Sequence, residues 1–393
     1  MNADFLSHYG FDVSPEAKER NKNTKVIVGM SGGVDSSVCA AVCKAQGYET
    51  IGIFMRNWEE IDEHGKCTAE DDYADVVAVC DQLEIPYYSI NLSENYREEV
   101  FQDFIEEYRQ GYTPNPDILC NKEIKFKVFF EYAKSLGADY LATGHYCQIK
   151  SDPTSGVPML VKGKDAGKDQ TYFLYAINGK VLNEVMFPIG HLEKKAVREI
   201  AETFSLATKK KKDSTGICFI GERDFKEFLN KYIKESKGQF VNIDTKEVMG
   251  EHDGHCFYTI GQRKGLGLGG PGGPWFVVDK DRSTNTVYVA EGDDHPDLYR
   301  IGLEAQELNW IKKPNFPFEC QAKIRYRQPD QPCTVSKDSE GKIKVKFHKP
   351  QRAMTLRQSV VFYQDEICLG GGVITDFGPT LNQISDLPEG RIV

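Results

Sequence analysis

No Cys-x-x-Cys pair occurs among the eleven cysteines of this 393-residue chain. That spacing argues against a structural zinc site, and no resident metal is expected. The N-terminus has no apolar core for secretion, so eleven cysteines point to a reducing compartment, the cytoplasm. No apolar run approaches the ~20 residues of a membrane span, so no membrane contact is expected. Residues 1–24 carry Asp4, Asp12, Glu16 and Glu19, a poor composition for a mitochondrial presequence. They read as a loosely held arm with one short helix capped at Ser14-Pro15. An excess of positive charge is also lacking: the net charge is −10, which argues against nonspecific nucleic-acid binding by the whole surface. The balance is uneven. From Ile301 onward 13 Lys+Arg meet 11 Asp+Glu, leaving 36 against 48 in residues 1–300. A polyanion would be gripped locally, mainly toward the C-terminus.

What is present is the stretch Gly29-Met30-Ser31-Gly32-Gly33-Val34-Asp35-Ser36. A β-rich run over 25–30 leads into it. A helical pattern over 37–46 follows, with Val38, Ala41, Val42 and Ala45 at helical spacing and Gly47 closing it. The glycines therefore occupy a strand-to-helix turn. Without side chains at Gly32 and Gly33, backbone N–H groups can approach an anion, and the helix N-terminus adds about half a positive charge. This is a phosphate cradle. It is not of the Walker type, since no Lys-Ser or Lys-Thr follows the last glycine. Ser31, Asp35, Ser36 and Ser37 converge on the same turn, which favours a ligand over a bare connection.

The fold class is α/β. Strands over 50–55, 86–92 and 139–146 alternate with helices over 69–83, 94–109, 121–136 and 192–204. The alternation predicts a parallel-sheet nucleotide-binding domain over 25–220, with helices on both faces and ligands at the carboxyl ends of the strands. The glycine turn, Met55 and Thr143-Gly144-His145 all fall there. A small β-rich domain over 221–300 follows, with one helix over 225–233 and strands over 256–260, 275–279 and 286–290. Residues 301–393 read as a C-terminal β-barrel, with strands over 321–326, 333–336, 342–347 and 358–363. The run 265–270 satisfies G-x-G-x-x-G, but Pro271-Gly272-Gly273-Pro274 cannot open a helix after it, so a mobile loop is the better reading.

Two cysteines stand apart from the rest. Cys120 follows Asn115-Pro116-Asp117-Ile118-Leu119 and precedes the helix over 121–136. A helix N-terminus and nearby Lys122 and Lys125 both favour thiolate. Lowering a thiol pKa from ~8.5 to ~6.5 raises the thiolate fraction at neutral pH from about 3% to about 75%. Asp117, three residues earlier, is placed to take or give a proton. Cys218 lies in Lys209-Lys210-Lys211-Lys212-Asp213-Ser214-Thr215-Gly216-Ile217-Cys218. Four lysines approach a glycine-flanked thiol there, although a run of lysines is often only a solvated face. Cys39 and Cys43, four apart on the first helix, read as a buried face.

Ser-Gly-Gly-Val-Asp-Ser resembles the pyrophosphatase loop of enzymes that adenylate a substrate with ATP. The Cys120 and Cys218 segments make the resemblance more specific. The chain is similar to the tRNA-specific 2-thiouridylases, tRNA-uridine 2-sulfurtransferases that place sulfur on C2 of the wobble uridine. The matching segments run from about Lys25 to Gly372 and include 54–60, 113–126, 142–146, 168–175, 209–221, 261–267, 325–328 and 368–372.

The resemblance implies roles by position. Gly29, Met30, Ser31, Gly32, Gly33, Val34, Asp35, Ser36, Met55 and Gly144 would bind ATP, with Mg²⁺ near Asp35. Asn115, Pro116 and Asp117 would meet the target base. Lys168, Asp169, Gln170, Arg325 and Tyr326 would contact tRNA. Cys218 would carry a persulfide from a sulfur-donor protein, a cysteine desulfurase or a sulfur-relay protein. Cys120 would complete the transfer, with Asp117 as acid or base. Two rival readings stay open on the residues alone. One is an ATP-dependent ligase that attacks an adenylated carboxylate with ammonia. The other is a nucleotide-gated RNA-binding module without catalysis.

Overall fold

The computed structural model describes residues 3–59, 69–213, 225–234, 236–269 and 272–385. The chain divides into two compact units. The first comprises Met1–Val100, Asp117–Gly221 and Glu366–Cys368; the second comprises Phe101–Pro116, Glu222–Asp365 and Leu369–Val393. No helix among the described residues is long and apolar enough to cross a membrane.

The first unit is built on a parallel sheet. Its strands are β1 (Lys25–Met30), β2 (Glu49–Arg56), β3 (Tyr87–Asn91), β4 (Tyr140–Ala142) and, after a hairpin of β5 (Cys147–Ser151) and β6 (Pro158–Lys162), the short β7 (Val185–Met186). The order is β3-β2-β1-β4-β7, with β1 paired in parallel to both β2 and β4. Every residue of β1 after Lys25 is buried, as expected of a central strand covered on both faces. The helix Val34–Ala45 buries ten of its residues, Cys39 and Cys43 included.

Three expectations change in this unit. The first helix begins at Val34, three residues earlier than the periodicity alone placed it, so Asp35 and Ser36 lie in its first turn. The strand expected over 139–146 stops at Ala142, and β5, β6 and β7 are additional strands. The N-terminal segment is not loosely held. Ser14 Oγ accepts from Ala17 N at 3.1 Å to cap the helix Pro15–Asn21, while Leu6, Phe11 and Val13 are buried in the main core. Burying apolar surface outweighs the polar composition of the segment.

The second unit holds a four-stranded sheet of β8 (Gly238–Asn242), β9 (Val248–His252), β10 (Trp275–Asp281) and β11 (Thr286–Glu291), ordered β10-β11-β8-β9. The strand expected over 256–260 is instead a 3₁₀ turn, His255–Phe257. It lies between Gly254 and Gly261, at φ 139° and 84°, and His255 N is taken by Asn285 Oδ1 at 3.0 Å, so the segment joins no ladder. The loop after it is anchored, since Leu266 is buried in this unit's core.

The barrel comprises β12 (Tyr299–Trp310), β13 (Phe318–Lys323), β14 (Gln331–Lys337), β15 (Ile343–Arg352), β16 (Ser359–Gln364) and β17 (Ile367–Phe377). Pairing of β12 with both β15 and β17 closes it, which leaves no free edge. Glycines mark the closure. A Cβ on Gly370, at φ +138°, would lie 2.1 Å from Asn309 O, so only glycine lets the two backbones approach there. The strand expected over 321–326 ends at Lys323. Arg325 and Tyr326 lie in the turn that follows, where Gln328 Oε1 accepts from Ile324 N at 2.9 Å.

Candidate active site

The glycine turn is fixed by its own serines. Ser31 N donates to Ser36 Oγ at 3.2 Å, and Ser36 and Ser37 Oγ donate to Gly33 O at 3.1 and 2.8 Å. Gly32 sits at φ +73°, and a Cβ there would come 2.6 Å from Asp72 O. Gly33 is the residue preceding the helix and has no side chain to cap it. The first-turn N–H groups of the helix are thus left facing outward, the arrangement that receives an anion. Gly144 follows β4, where an added Cβ would lie 3.1 Å from Ser36 N, and a Cβ on Gly29 would lie 3.8 Å from Met55 Cε. Gly29, Gly144 and Met55 therefore surround one turn, brought together by adjacent parallel strands.

Asp35 is the polar centre of this turn. Tyr146 Oη donates to its Oδ1 at 2.7 Å, and Lys194 Nζ donates to Oδ1 and Oδ2 at 2.8 and 2.9 Å. Lys194 also lies 2.8 Å from Asp213 Oδ1. Asp213 in turn receives Lys168 at 2.7 Å and Arg198 at 2.5 Å. Burial opposes ionisation of Asp213, but hydrogen bonds from Lys168 and Lys194 outweigh it and hold the carboxyl well below the usual range. Burial pushes the Tyr146 phenol far up, and the charge of Asp35 adds to the shift, so Tyr146 remains a donor. His145 has the opposite fate. Burial drives it well below its ordinary value, aided by Lys125, and its Nδ1 meets Thr143 Oγ1 at 2.8 Å.

Sequence reading missed Lys194, Arg198 and Asp213 as members of this network. Their signal was weak, because Lys194 opens an ordinary amphipathic helix and Asp213 ends a lysine run. That run is only partly solvated. Lys211 bridges Asp72 and Asp75, Lys209 pairs with Glu202 at 3.0 Å, and Arg198 donates to the carbonyls of Lys209 and Lys211.

Cys120 is fully buried. The helix in front of it starts at Pro116, not at Asn121, so Asp117 lies in the first turn and Cys120 opens a ten-residue π-helical stretch, Cys120–Phe129. Proline at the first helical position explains the earlier start, since it has no N–H to leave unsatisfied. Lys122 is paired with Glu123 at 3.0 Å. Asn115 and Pro116 fall in the second unit, on the segment Phe101–Pro116, whereas Asp117 and Cys120 fall in the first. Cys218 lies outside the described residues; Asp213, at the end of the described segment, is the ion-paired residue before it.

The remaining candidates differ in exposure. Lys168 is half-exposed and bound to Asp213. Asp169 is buried, and its Oδ1 accepts from Gly163 N at 3.1 Å and Thr171 N at 3.2 Å. Gln170 clasps Tyr146, accepting from its N and donating to its O, each at 2.9 Å. In the second unit, Arg325 donates to Ala353 O at 3.0 Å and Thr355 Oγ1 at 2.7 Å.

The chain has close relatives among known proteins. Family models match residues 24–222 (tRNA methyl transferase HUP domain), 226–291 (tRNA methyl transferase PRC-barrel domain) and 300–374 (Aminomethyltransferase beta-barrel domain). The tRNA-specific 2-thiouridylase MnmA of Halalkalibacterium halodurans is 58% identical over 361 residues, 91% of this chain and 96% of that protein. Its counterpart from Protochlamydia amoebophila is 56% identical over 372 residues, 94% of this chain and 98% of that one. That of Oceanobacillus iheyensis is 54% identical over 358 residues, covering 91% and 96%. The domain descriptions speak of methyl transfer, but the relatives matched over nearly their whole length are thiouridylases. With that identity and coverage, the chain belongs to the tRNA-specific 2-thiouridylase family.

Proposed function

We propose that this protein is an ATP-dependent tRNA-uridine 2-sulfurtransferase acting on C2 of the wobble uridine. The observation that carries the reading is the ion-pair chain from the glycine turn to the root of the Cys218 segment: Asp35 to Lys194 to Asp213. It ties a phosphate-ready turn to the residues leading into a candidate sulfur carrier.

The chemistry needs both ends. Oxygen at C2 of uracil is a poor leaving group. Its attack on the α-phosphorus of ATP expels pyrophosphate and leaves an O-adenylated base. The terminal sulfur of a Cys218 persulfide then attacks C2 and displaces AMP. Cys120 thiolate attacks the Cys218 sulfur, releasing the 2-thiouridine and leaving a Cys120–Cys218 disulfide, which an external dithiol must reduce. Asp117 is the acid or base near Cys120. Residues 29–36 with Met55 and Gly144 hold ATP. Mg²⁺ bound to phosphates commonly draws on one or two carboxylates plus substrate oxygens, and Asp35, in the first turn of the helix, fits that role.

Asn115, Pro116 and Asp117 meet the target base. Lys168, Arg325 and Tyr326 contact tRNA, and Asp169 and Gln170 shape the Lys168 loop. A base in a single-stranded loop can be splayed out and read individually. The division of labour follows: catalysis in 25–220, a β-rich connection over 221–300, and tRNA contact through the barrel of 301–393. A sulfur-donor protein charges Cys218. The test is incubation with ATP, Mg²⁺, a sulfide source and unmodified tRNA, followed by analysis of digested nucleosides. Thiouridine formation that needs ATP is expected; none in the complete mixture overturns the reading.

A further inference from the structure

A groove in the second unit is lined by Lys280, Arg282 and Arg300, with Asp279, Tyr112 and Phe377 beside them. Three cations meet one carboxylate in the lining. None of the three forms an ion pair with a carboxylate among the described residues. Their partners are neutral instead. Lys280 Nζ donates to Gly111 O at 2.6 Å and Tyr258 O at 2.7 Å. The Arg282 guanidinium lies 4.2 Å over the Tyr112 ring and donates to Tyr112 Oη at 2.9 Å. The Arg300 guanidinium lies 4.2 Å over the Phe377 ring and donates to Gly378 O at 2.6 Å.

Carbonyls and ring faces aim a cation without cancelling its charge. The nearby carboxylates Asp279, Asp297 and Asp376 act on Arg300 through space, and Asp279 on Lys280 as well, without pairing with either cation. Asp279 Oδ1 accepts from the Lys280 backbone N at 2.8 Å. Asp297 holds Thr380 and Asn382, and Asp376 holds Phe377 N. Lys280 feels the like charge of Arg282, a repulsion that a bound anion relieves. The groove's volume is about 90 Å³. That is room for several waters, and so for a phosphate group rather than a whole nucleotide.

We infer that this groove binds a phosphate ester of a nucleotide, with Lys280, Arg282 and Arg300 as its donors. Two sources share that chemistry: a phosphodiester of the tRNA backbone, and the monoester of a free nucleotide. The tRNA source rests on the function proposed above, and the surroundings favour it. Gly111 and Tyr112 belong to the same segment, Phe101–Pro116, as Asn115 and Pro116, which are assigned to the target base. A backbone phosphate seated here would anchor tRNA beside the segment that reads the base.

The test compares wild type with Arg282→Gln, Arg282→Lys and the Arg282→Gln/Arg300→Gln pair. In the first arm, tRNA affinity is measured against salt. Arg282→Gln is expected to weaken binding about 3–10-fold and to flatten the slope of log affinity against log salt by about 1, the pair by about 2. Arg282→Lys, which keeps the charge, should keep the slope. In the second arm, AMP binding is measured with residues 29–36 already saturated by a non-hydrolysable ATP analogue. A further AMP equivalent that Arg282→Gln loses identifies the free nucleotide as the source. Wild type that binds no tRNA defeats the function above, and the AMP arm then judges the groove alone. Unchanged slopes in both glutamine variants, with no further AMP equivalent in wild type, overturn the inference.

Discussion

Lys194 joins Asp35 to Asp213, with its Nζ 2.8 Å from a carboxylate oxygen of each. Its side chain is only 15% exposed, against about a third for the two aspartates. Removing the ammonium would leave two partly buried carboxylates facing the same gap. We expect Lys194→Met to cost about 1–3 kcal/mol of stability, between the values typical of exposed and buried pairs. tRNA-dependent pyrophosphate release should fall at least ~10-fold, since Asp35 loses its orientation. Wild-type pyrophosphate release in a correctly folded Lys194→Met protein would show that the bridge is only structural.

The glycine turn gives a second expectation. Gly32 needs φ +73° and has backbone of Asp72 where a Cβ would go. Gly32→Ala should destabilise by about 1–2 kcal/mol from the left-handed conformation alone, with the close contact adding to it. ATP affinity should drop in parallel. Calorimetric unfolding and nucleotide titration check both; unchanged values mean that the turn relaxes freely.

The two cysteines should fail in different ways. Cys218→Ser is expected to abolish persulfide formation and thiolation but to permit adenylation of tRNA. Cys120→Ser should accept sulfur on Cys218 and stop before release. Mass spectrometry after one turnover separates the two. Labile sulfur on Cys120 with none on Cys218 would reverse the roles, and full thiouridine yield from either serine variant would eliminate the two-thiol sequence.

Lys280 predicts a pH dependence. Burial, with Arg282 acting in the same sense, lowers its pKa to about 8 against the opposing charges of Cys256 and Asp279. The folded value is below the unfolded one, so the unfolded chain holds more protons between about pH 8 and pH 10.4. Stability contributed by this group therefore rises with pH through that window, by on the order of 1–3 kcal/mol. Denaturant midpoints of wild type relative to Lys280→Met, taken at pH 7.5, 9 and 10.5, should show the gain. A constant difference across that range would mean that the lysine stays charged in the fold.

The central strands and the turn were legible because they combine two strong signals: apolar runs over 25–30 and 50–55, and glycines where the period changes from strand to helix. Helix 69–83 was read to the residue, since its apolar stripe is regular. The barrel was legible as a class but not in register. Arg325 and Tyr326 alternate like a strand, yet Gln328 pulls the chain into a turn, a side-chain bond that periodicity does not carry. The network at Asp35 was only half legible. Asp35 and Tyr146 sit in recognisable segments, whereas Lys194 and Asp213 join the network from 159 and 178 positions after Asp35, and nothing local announces such a meeting. The N-terminal segment failed for another reason. Four buried apolar residues, Leu6, Phe11, Val13 and Ala17, decide its fate, and they are outnumbered by polar ones.

The three residues Glu366–Cys368 belong to the first unit, where Ile367 and Cys368 pair with Val161 and Leu160 of β6. Protein synthesis is vectorial, so the α/β unit stays short of one strand segment long after Gly221 has left the ribosome. At about 5–20 residues per second, the wait to reach Cys368 is roughly 7–30 s. Through that interval β6 offers an unpaired edge, and a nascent chain stalled anywhere between the two points carries a nucleotide-binding unit that is still open to chaperones and to wrong strands.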